Sequence, residues 1–339
     1  MTENVYLPIP PPTEPAAPLP HTELTEYQTK MYQEVLQHFE KPEYLPGLEK
    51  GLMDIEKFWL SYECILRYLR ASKWKVDTAI HRLEETLKWR REYGIYDTVT
   101  AELVEPEAIT GKQIQLGYDV NGRPGLYLIP SRQNTTESSR QVQFTVWMLE
   151  RCIGLMPPGV ESLDLLINYA DKAKNPSFSI ARAVLNILQD HYPERLGLAL
   201  ILNVPFLLNA FFKVITPFVD PVTRNKMKFN PQVIKDGIFA PDMVMAEWWG
   251  GECKFEYEHD QYWPALVAMC NEREKRHMEA WQTLGGKVGL KEFDYKTGMP
   301  EKNSDPSPAV PVDTEAPSPT PEAAPTPEVP APTTESPEA

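Results

Sequence analysis

The sequence predicts an α/β domain with a partly parallel sheet, preceded by a small all-helical module. Two short, continuously apolar runs, Leu163–Tyr169 and Leu198–Val204, are typical of strands that are buried on both faces of a parallel sheet. Helical segments lie between and after these runs, and such alternation favours parallel pairing. Upstream, over residues 25–97, apolar side chains recur at helical spacing instead.

The composition excludes several classes of protein. The net charge is -14, of which the two proline-rich tails carry -9, so the remainder is only mildly acidic. This balance argues against non-specific nucleic-acid binding, which needs a dense basic surface. We expect no signal peptide, because the N-terminal residues have neither a basic region nor an apolar core, and no apolar stretch is long enough to span a membrane. The scattered cysteines predict a reduced, cytosolic protein: Cys64, Cys152, Cys253 and Cys270.

Both ends of the chain have the composition of unstructured tails. Residues 1–24 are rich in proline and poor in charge, and residues 296–339 consist mainly of Pro, Ala, Glu, Ser and Thr. Such segments bury too little apolar surface to offset the entropy lost on folding. We expect both to be disordered, and the first is either a solubilising tail or a ligand for a proline-recognition domain.

The predicted helical module comprises residues 25–97. One helix is predicted over residues 54–70, where aromatic side chains and leucines recur at helical spacing. A second helix begins at Val76 and is capped by Gly94. Its charged face is predicted to be a solvated surface. A linker is expected from there to about Thr110.

The predicted α/β domain covers residues 110–260 and is followed by a C-terminal helical segment, residues 261–295. Asn121-Gly122 lies between two strand-like runs and is a strong hairpin signal. The other predicted elements are helices over residues 138–153 and 179–190, a short strand-helix passage over residues 233–246, and a last helix from Pro264 to Gly285.

An apolar helix is predicted from Phe206 to Val219. It is apolar almost all round, so it must bury most of its circumference. It is too short to span a bilayer, which needs about 20 apolar residues. It therefore covers an apolar region inside the protein, or meets a membrane surface, or does both in turn. Asp220-Pro221 then begins another helix, whose free N–H groups could bind an anion.

Several motifs in order together resemble the CRAL-TRIO, or Sec-fourteen-like, lipid-transfer family. The resemblance covers roughly residues 50–260. Any single motif is weak, but the order of all of them is specific. The motifs are LRYLRASKW (66–74), KWRREYG (88–94), NGRP (121–124), YPERLG (192–197), DPVT (220–223) and WGG (249–251).

The resemblance implies a sheet-floored apolar pocket that is closed by a helical gate, here Phe206 to Val219. It also implies phosphatidylinositol as the bound lipid and transient contact with membrane surfaces, without a cofactor or a metal. The gate side chains implied by the resemblance are Phe206, Leu207, Phe211, Phe212, Ile215 and Phe218.

Four positions match the family's phosphatidylinositol headgroup residues: Lys73, Glu194, Thr223 and Lys226. The chemistry of these side chains fits independently. Lys226 is a compact cation and Thr223 lies in the first turn of a predicted helix, so both suit a phosphate. The carboxylate of Glu194 can accept hydrogen bonds from two hydroxyl groups of a polyol.

Two departures from the family pattern affect which ligands we expect. Ser72 stands where the type member has an arginine. Leu166, Ile167 and Asn168 stand where members that bind phosphatidylcholine have small hydroxyl residues, so we do not expect phosphatidylcholine as a second ligand. Residues 248–263 are closest to the fungal, azole-tolerance branch, which implies a sterol as the second ligand.

The expected function is transfer or presentation of phosphatidylinositol by a cytoplasmic protein that associates peripherally with membranes of the endoplasmic reticulum, lipid droplets or plasma membrane. An enzyme is not expected, because the chain has no GxSxG, HExxH or P-loop motif. His191 is predicted to be structural. The alternative is a lipid sensor or interaction module that does not transfer lipid.

Overall fold

The computed structural model describes residues 4–13, 23–41, 51–170, 178–204 and 224–297 of the chain. All of these residues belong to one contact unit, Met1–Glu301. Its α-helices are α1 Glu26–Phe39, α2 Asp54–Trp59, α3 Tyr62–Ala71, α4 Val76–Glu92, α5 Ala101–Ala108, α6 Ser138–Gly154, α7 Phe178–His191, α8 His259–Thr283 and α9 Glu292–Thr297.

The helices α1 to α4 form the predicted N-terminal module around a core of their own, which Val288 of the C-terminal segment joins. The prediction of a single helix over residues 54–70 is wrong, because the helix is interrupted between α2 and α3. Ser61 is the N-cap of α3, and its hydroxyl accepts a hydrogen bond from the Cys64 N–H at 3.0 Å. Serine favours such a cap over a helix interior, so it restarts the helix.

The segment expected to be a linker contains a helix, α5. Thr100 caps it by accepting a hydrogen bond from the Leu103 N–H at 3.3 Å. Apolar residues of α5, including Val104 and Ala108, are buried in the main core. The helix was missed because it is only eight residues long and contains Pro106.

The predicted partly parallel sheet is confirmed. Five strands lie in the order in which they occur along the chain. The first two pair antiparallel across the Asn121-Gly122 turn, and each later strand pairs parallel with the one before it. The strands are β1 Gln113–Tyr118, β2 Pro124–Leu128, β3 Leu163–Asn168, β4 Leu196–Leu202 and β5 Met227–Phe229.

The edge strand β5 was not predicted. It has three residues, too few to show a strand period, and it pairs with β4 from Ala199 to Ile201. The strand-helix passage expected over residues 233–246 is also wrong. That segment consists of turns, a 3₁₀-helix at Pro241–Met243 and single β-bridges at Phe239 and Met245.

The two faces of the sheet carry different apolar clusters. Leu166 and Leu200 belong to the main core, which α6 and α8 cover. The next residues along the two strands, Ile167 and Ile201, belong to a second, smaller cluster. This difference follows from the alternation of side chains along a strand. The second cluster also includes Tyr169, Val204 and Met227.

Residues 4–13 belong to the predicted disordered tail, but they lie against the α/β domain. Val5 donates its N–H to the Lys254 carbonyl and accepts from the Glu256 N–H, both at 2.9 Å. Pro8 and Pro11 are buried. Proline lacks the N–H group, so burying it leaves no donor unpaired. Composition alone could not predict this packing, because it does not show that the folded α/β domain offers an apolar surface to this short segment.

The C-terminal helix α8 begins at His259, five residues before the predicted start at Pro264. The proline lies inside the helix, and Tyr262 and Trp263 beside it are buried in the main core. Tertiary packing of these aromatic side chains outweighs the helix-breaking tendency of proline. Among the residues described, no helix is both long enough and apolar enough to cross a membrane.

Candidate functional site

The candidate site lies at the N-terminal ends of the parallel strands β4 and β5. Lys226 directly precedes β5, and its backbone carbonyl accepts a hydrogen bond from the Ala199 N–H of β4 at 2.9 Å. Its Nζ donates to the Leu196 carbonyl at 2.6 Å. Strand pairing therefore holds Lys226, which is half-buried, beside the first residue of β4.

Glu194 lies two residues before Leu196, in the turn that joins α7 to β4. Its φ of 60° is in the left-handed region, which costs a residue other than glycine about 1 kcal/mol. Its side chain is 36% exposed, and its Oε2 accepts a hydrogen bond from Arg70 Nε at 2.5 Å. The structure thus brings Glu194 and Lys226 to the same end of β4.

Lys73 lies in the turn that follows α3. Lys73 and Trp74 both have positive φ, and the Trp74 N–H donates to the Leu69 carbonyl at 2.7 Å. The Lys73 side chain is exposed and makes no hydrogen bond or ion pair with the residues described. It is not hydrogen-bonded to Glu194 or Lys226, but Arg70, three residues earlier in α3, forms an ion pair with Glu194.

The other residues implied by the resemblance lie outside the described part of the chain. This applies to Thr223 and to the gate side chains Phe206, Leu207, Phe211, Phe212, Ile215 and Phe218. Their roles stay predictions.

Ser72, where the type member of the family has an arginine, is 6% exposed. Its hydroxyl has no hydrogen-bond partner in the described part of the protein. An unpaired buried hydroxyl group costs about 1–3 kcal/mol, so a ligand atom that paired with it would be favoured. In the sequence, this serine is recognisable only as a departure from the family pattern.

A chain of ion pairs lies beneath Glu194. Arg70 contacts Glu161 at 3.1 Å as well as Glu194, and Arg67 contacts Glu161 at 2.9 Å and Glu292 at 3.1 Å. Burial alone would raise the pKa of Glu161, but the two arginines outweigh burial and lower it. Glu161 is therefore ionised and fixes both guanidinium groups. The sequence contained no local signal for this network, because its members come from distant segments.

A buried carboxyl group lies beside the NGRP hairpin. Asp164 of β3 is fully buried, and its Oδ1 accepts a hydrogen bond from the Leu198 N–H at 2.7 Å. Burial, together with the neighbouring Asp119, raises the pKa of Asp164 to about 7. A Cβ atom at Gly197 would lie 2.4 Å from Asp164 Oδ1. The glycine of the YPERLG motif therefore leaves space for this carboxyl group.

His191 joins the helical module to the α/β domain. Its ring stacks on Trp89 with 4.1 Å between centroids, and its Nδ1 lies 3.0 Å from the Thr86 hydroxyl. Its carbonyl accepts a hydrogen bond from the Tyr68 hydroxyl at 2.9 Å. Burial lowers the pKa of His191 to about 4, so the ring is neutral near pH 7. These contacts are those of a structural residue.

The three residues that differ from those of phosphatidylcholine-binding members, Leu166, Ile167 and Asn168, lie on β3. Leu166 is fully buried in the main core, and only Ile167 belongs to the cluster on the opposite face. Asn168 accepts hydrogen bonds from the Ala170 N–H at 3.0 Å and from Asn203 Nδ2 at 2.8 Å. The carboxamide oxygen of Asn168 is thus used within the protein.

The fold is that of an α/β domain with a partly parallel sheet, preceded by an N-terminal helical module. The sequence profile of the CRAL/TRIO domain matches residues 109–248, and that of the CRAL/TRIO N-terminal domain matches residues 31–85. The chain belongs to the CRAL/TRIO family.

Two curated relatives and one solved structure illustrate the likeness. A CRAL-TRIO domain-containing protein of Schizosaccharomyces pombe is 45% identical over 88% of this chain, but the chain spans only 30% of that protein. The phosphatidylinositol transfer protein PDR17 of Saccharomyces cerevisiae is 40% identical over 80% of this chain and 84% of its own length. The crystal structure of Sfh5 matches 70% of this chain and 91% of its own, at 16% identity and a TM-score of 0.49.

Proposed function

We propose that this protein binds phosphatidylinositol and transfers it between membranes. The observation that supports the proposal is that Glu194 and Lys226 lie at the same end of β4: Lys226 Nζ bonds the carbonyl of Leu196, the first residue of β4, and Glu194 precedes Leu196 by two residues. A carboxylate and an ammonium group near one another suit an inositol ring that carries a phosphate. The relative PDR17, a phosphatidylinositol transfer protein, matches this chain over most of its length.

Each headgroup residue has a chemical role in this proposal. Lys226 and Lys73 neutralise the phosphate, and Thr223 donates a hydrogen bond to it. Glu194 accepts hydrogen bonds from the inositol hydroxyl groups. No covalent step is involved.

The gate helix, residues 206–219, opens at a membrane surface and closes over the acyl chains. Each buried CH₂ group contributes about 0.8 kcal/mol, which offsets the loss of the same contacts in the bilayer. Exchange is therefore nearly thermoneutral. A sterol is the proposed second ligand, and the cytoplasmic faces of the endoplasmic reticulum, lipid droplets or plasma membrane are the proposed donors and acceptors.

The cysteine thiols and the imidazole of His191 that the structure describes are buried or held in contacts. Burial raises the pKa of all four cysteine thiols, so none is a ready nucleophile. His191 is held in a stack. In the described residues no group of three or more His, Cys, Asp or Glu side chains could hold a metal ion.

The test is native mass spectrometry of protein that has been incubated with vesicles containing phosphatidylinositol. We expect one bound phosphatidylinositol in the wild type and none in Glu194→Ala/Lys226→Ala. The matched control is Lys275→Ala/Glu279→Ala, which removes an exposed ion pair of the same charges from α8 and should leave loading unchanged. A wild type that takes up no lipid would refute the proposal, and equal loading of both double variants would refute the assigned site.

The alternative is a lipid sensor or interaction module. The relative in Schizosaccharomyces pombe is much longer than this chain, which spans 30% of it, so the matched part is one portion of a larger protein there. A sensor would load phosphatidylinositol in the same experiment but would not move it between labelled donor and acceptor vesicles.

A further inference from the structure

A partly enclosed cavity lies between the helical module and the C-terminal helices, away from Glu194 and Lys226. Its volume is about 120 Å³. Since one water molecule takes up about 30 Å³, it has room for one small ion with a water molecule, but not for a phospholipid. Side chains of α2, α4, α6, α8 and α9 line it, and the charged or polar ones are Arg90, Glu150, Arg151, Arg195, Glu274, His277, Glu292 and Lys296.

The lining has four cations and three carboxylates, an excess of one positive charge. Each carboxylate is already engaged. Both oxygens of Glu150 accept from Arg90, at 2.8 and 3.1 Å, and one also accepts from the Tyr192 hydroxyl at 2.6 Å. Glu292 pairs with Lys296 at 2.8 Å. Glu274 lies 3.5 Å from Arg151.

Arg195 is the cation without such a carboxylate. It is 8% exposed, and its Nη1 donates to the Glu161 carbonyl at 2.9 Å and weakly to Met156 Sδ at 3.7 Å. It forms no ion pair with any residue that the structure describes. Burial and the charge of Arg67 lower its pKa and outweigh the carboxylates of Glu292 and Glu161, neither of which is within ion-pair distance, yet a guanidinium stays protonated near pH 7. A buried positive charge without a direct ion pair is poorly compensated.

His277 adds a second unpaired group to the same wall. It is 7% exposed and makes no hydrogen bond with the described residues. Burial, and then the cations Lys296 and Arg273, lower its pKa to about 2, so the ring is neutral and offers one N–H donor. Two nearly buried side chains with unused donors therefore line one small space.

We propose that this cavity is a binding site for a small tetrahedral oxyanion of the phosphate class. The planar fork of Arg195 suits two oxygens of such an ion, as in other arginine–phosphate pairs. His277 donates its N–H to a third oxygen, and Lys296 supplies a nearby charge. The anion gives Arg195 the direct ion pair that it lacks among the described residues. This site does not depend on the proposed lipid function.

The test is isothermal titration calorimetry of the full chain with inorganic phosphate, against sodium chloride of equal ionic strength. We expect saturable binding of one phosphate, and we expect Arg195→Met to weaken it by about ten- to a hundredfold, the range for losing a charge-assisted hydrogen-bond pair. His277→Phe keeps an aromatic ring of similar size and should weaken binding as well. The control Lys275→Met removes an exposed cation from α8 and should bind as the wild type does.

A second arm separates free phosphate from a lipid headgroup. Glu194→Ala/Lys226→Ala should bind inorganic phosphate as the wild type does, and soluble inositol phosphate, which is too large for the cavity, should not compete. Loss of phosphate binding in that double variant would assign the anion to the headgroup site and overturn the proposal. So would unchanged binding in both Arg195→Met and His277→Phe, or the absence of saturable binding in the wild type.

Discussion

Arg70 of the helical module holds Glu194 of the α/β domain, with 2.5 Å between Nε and Oε2. The two residues are 124 positions apart in the sequence. Arg70 is itself held by Glu161, so the Glu194 carboxylate has a fixed direction although it is 36% exposed. A residue of the helical module thus positions a proposed headgroup ligand on the α/β domain.

Replacing Arg70 with glutamine should weaken phosphatidylinositol loading several-fold, because Glu194 loses the contact that orients it. The free energy of unfolding should fall by only about 0–1 kcal/mol, since both side chains are about one third exposed. Loading is measured by native mass spectrometry and stability by urea unfolding. Lys88→Gln, which breaks an exposed pair on α4, is the control. A rise in loading would show instead that Arg70 competes with the inositol ring.

The buried Arg90–Glu150 pair predicts a specific loss of stability in acid. Burial would raise the pKa of Glu150, but Arg90 and Tyr192 outweigh it and lower the pKa to about 2. The pair therefore contributes fully above the unfolded pKa of about 4.3, and this contribution is lost as the pH falls towards 2. Urea unfolding between pH 2 and pH 6 measures how steeply the free energy of unfolding falls with pH.

Glu150→Gln should lower the free energy of unfolding at pH 7 by about 3–5 kcal/mol, because it leaves Arg90 buried without a counter-ion. The variant should also show a shallower fall of stability below pH 4. If the free energy of unfolding of Glu150→Gln fell as steeply below pH 4 as that of the wild type, other carboxylates would be responsible for the loss of stability in acid.

Gly197→Ala should destabilise the protein by about 1–3 kcal/mol, the usual cost of forcing an extra methyl group into a packed site. Its Cβ would lie 2.4 Å from Asp164 Oδ1 and 2.8 Å from Arg123 Cδ. Gly154→Ala is the matched control, because no atom lies within 4 Å of a Cβ there and the residue is helical. Urea unfolding of both variants decides the comparison, and equal stabilities would contradict the crowding at Gly197.

Deletion of residues 1–13 should expose the backbone that they cover. The Glu256 N–H, which donates to the Val5 carbonyl at 2.9 Å, should lose protection from hydrogen exchange. The Tyr262 N–H, which donates to the Glu258 carbonyl at 2.8 Å at the start of α8, should keep its protection and serves as the internal reference. If the Glu256 N–H exchanges equally fast in the full chain, the N-terminal segment does not stay in place in solution.

The sequence by itself determined the elements whose signals are local. The apolar runs at Leu163 and Leu198 became central strands, and Asn121-Gly122 became a hairpin, because burial on both faces and turn geometry are set by neighbouring residues. The ordered motifs of the family also predicted Glu194 and Lys226 as headgroup residues, and the structure brings the two to one end of β4. Short elements such as β5 and α5 were missed because three to eight residues are too few to show a period.

Only the tertiary structure decided which distant side chains meet. The partner of Glu194 is Arg70, the hydroxyl of Ser72 is left unpaired among the described residues, and Arg195, the next residue after Glu194, turns inward to a cavity. Ion pairs and cavities depend on how separate helices pack, and no spacing along the chain encodes that. The N-terminal prolines illustrate the same limit: their composition predicts disorder, but an available apolar surface on the α/β domain lets residues 4–13 pack.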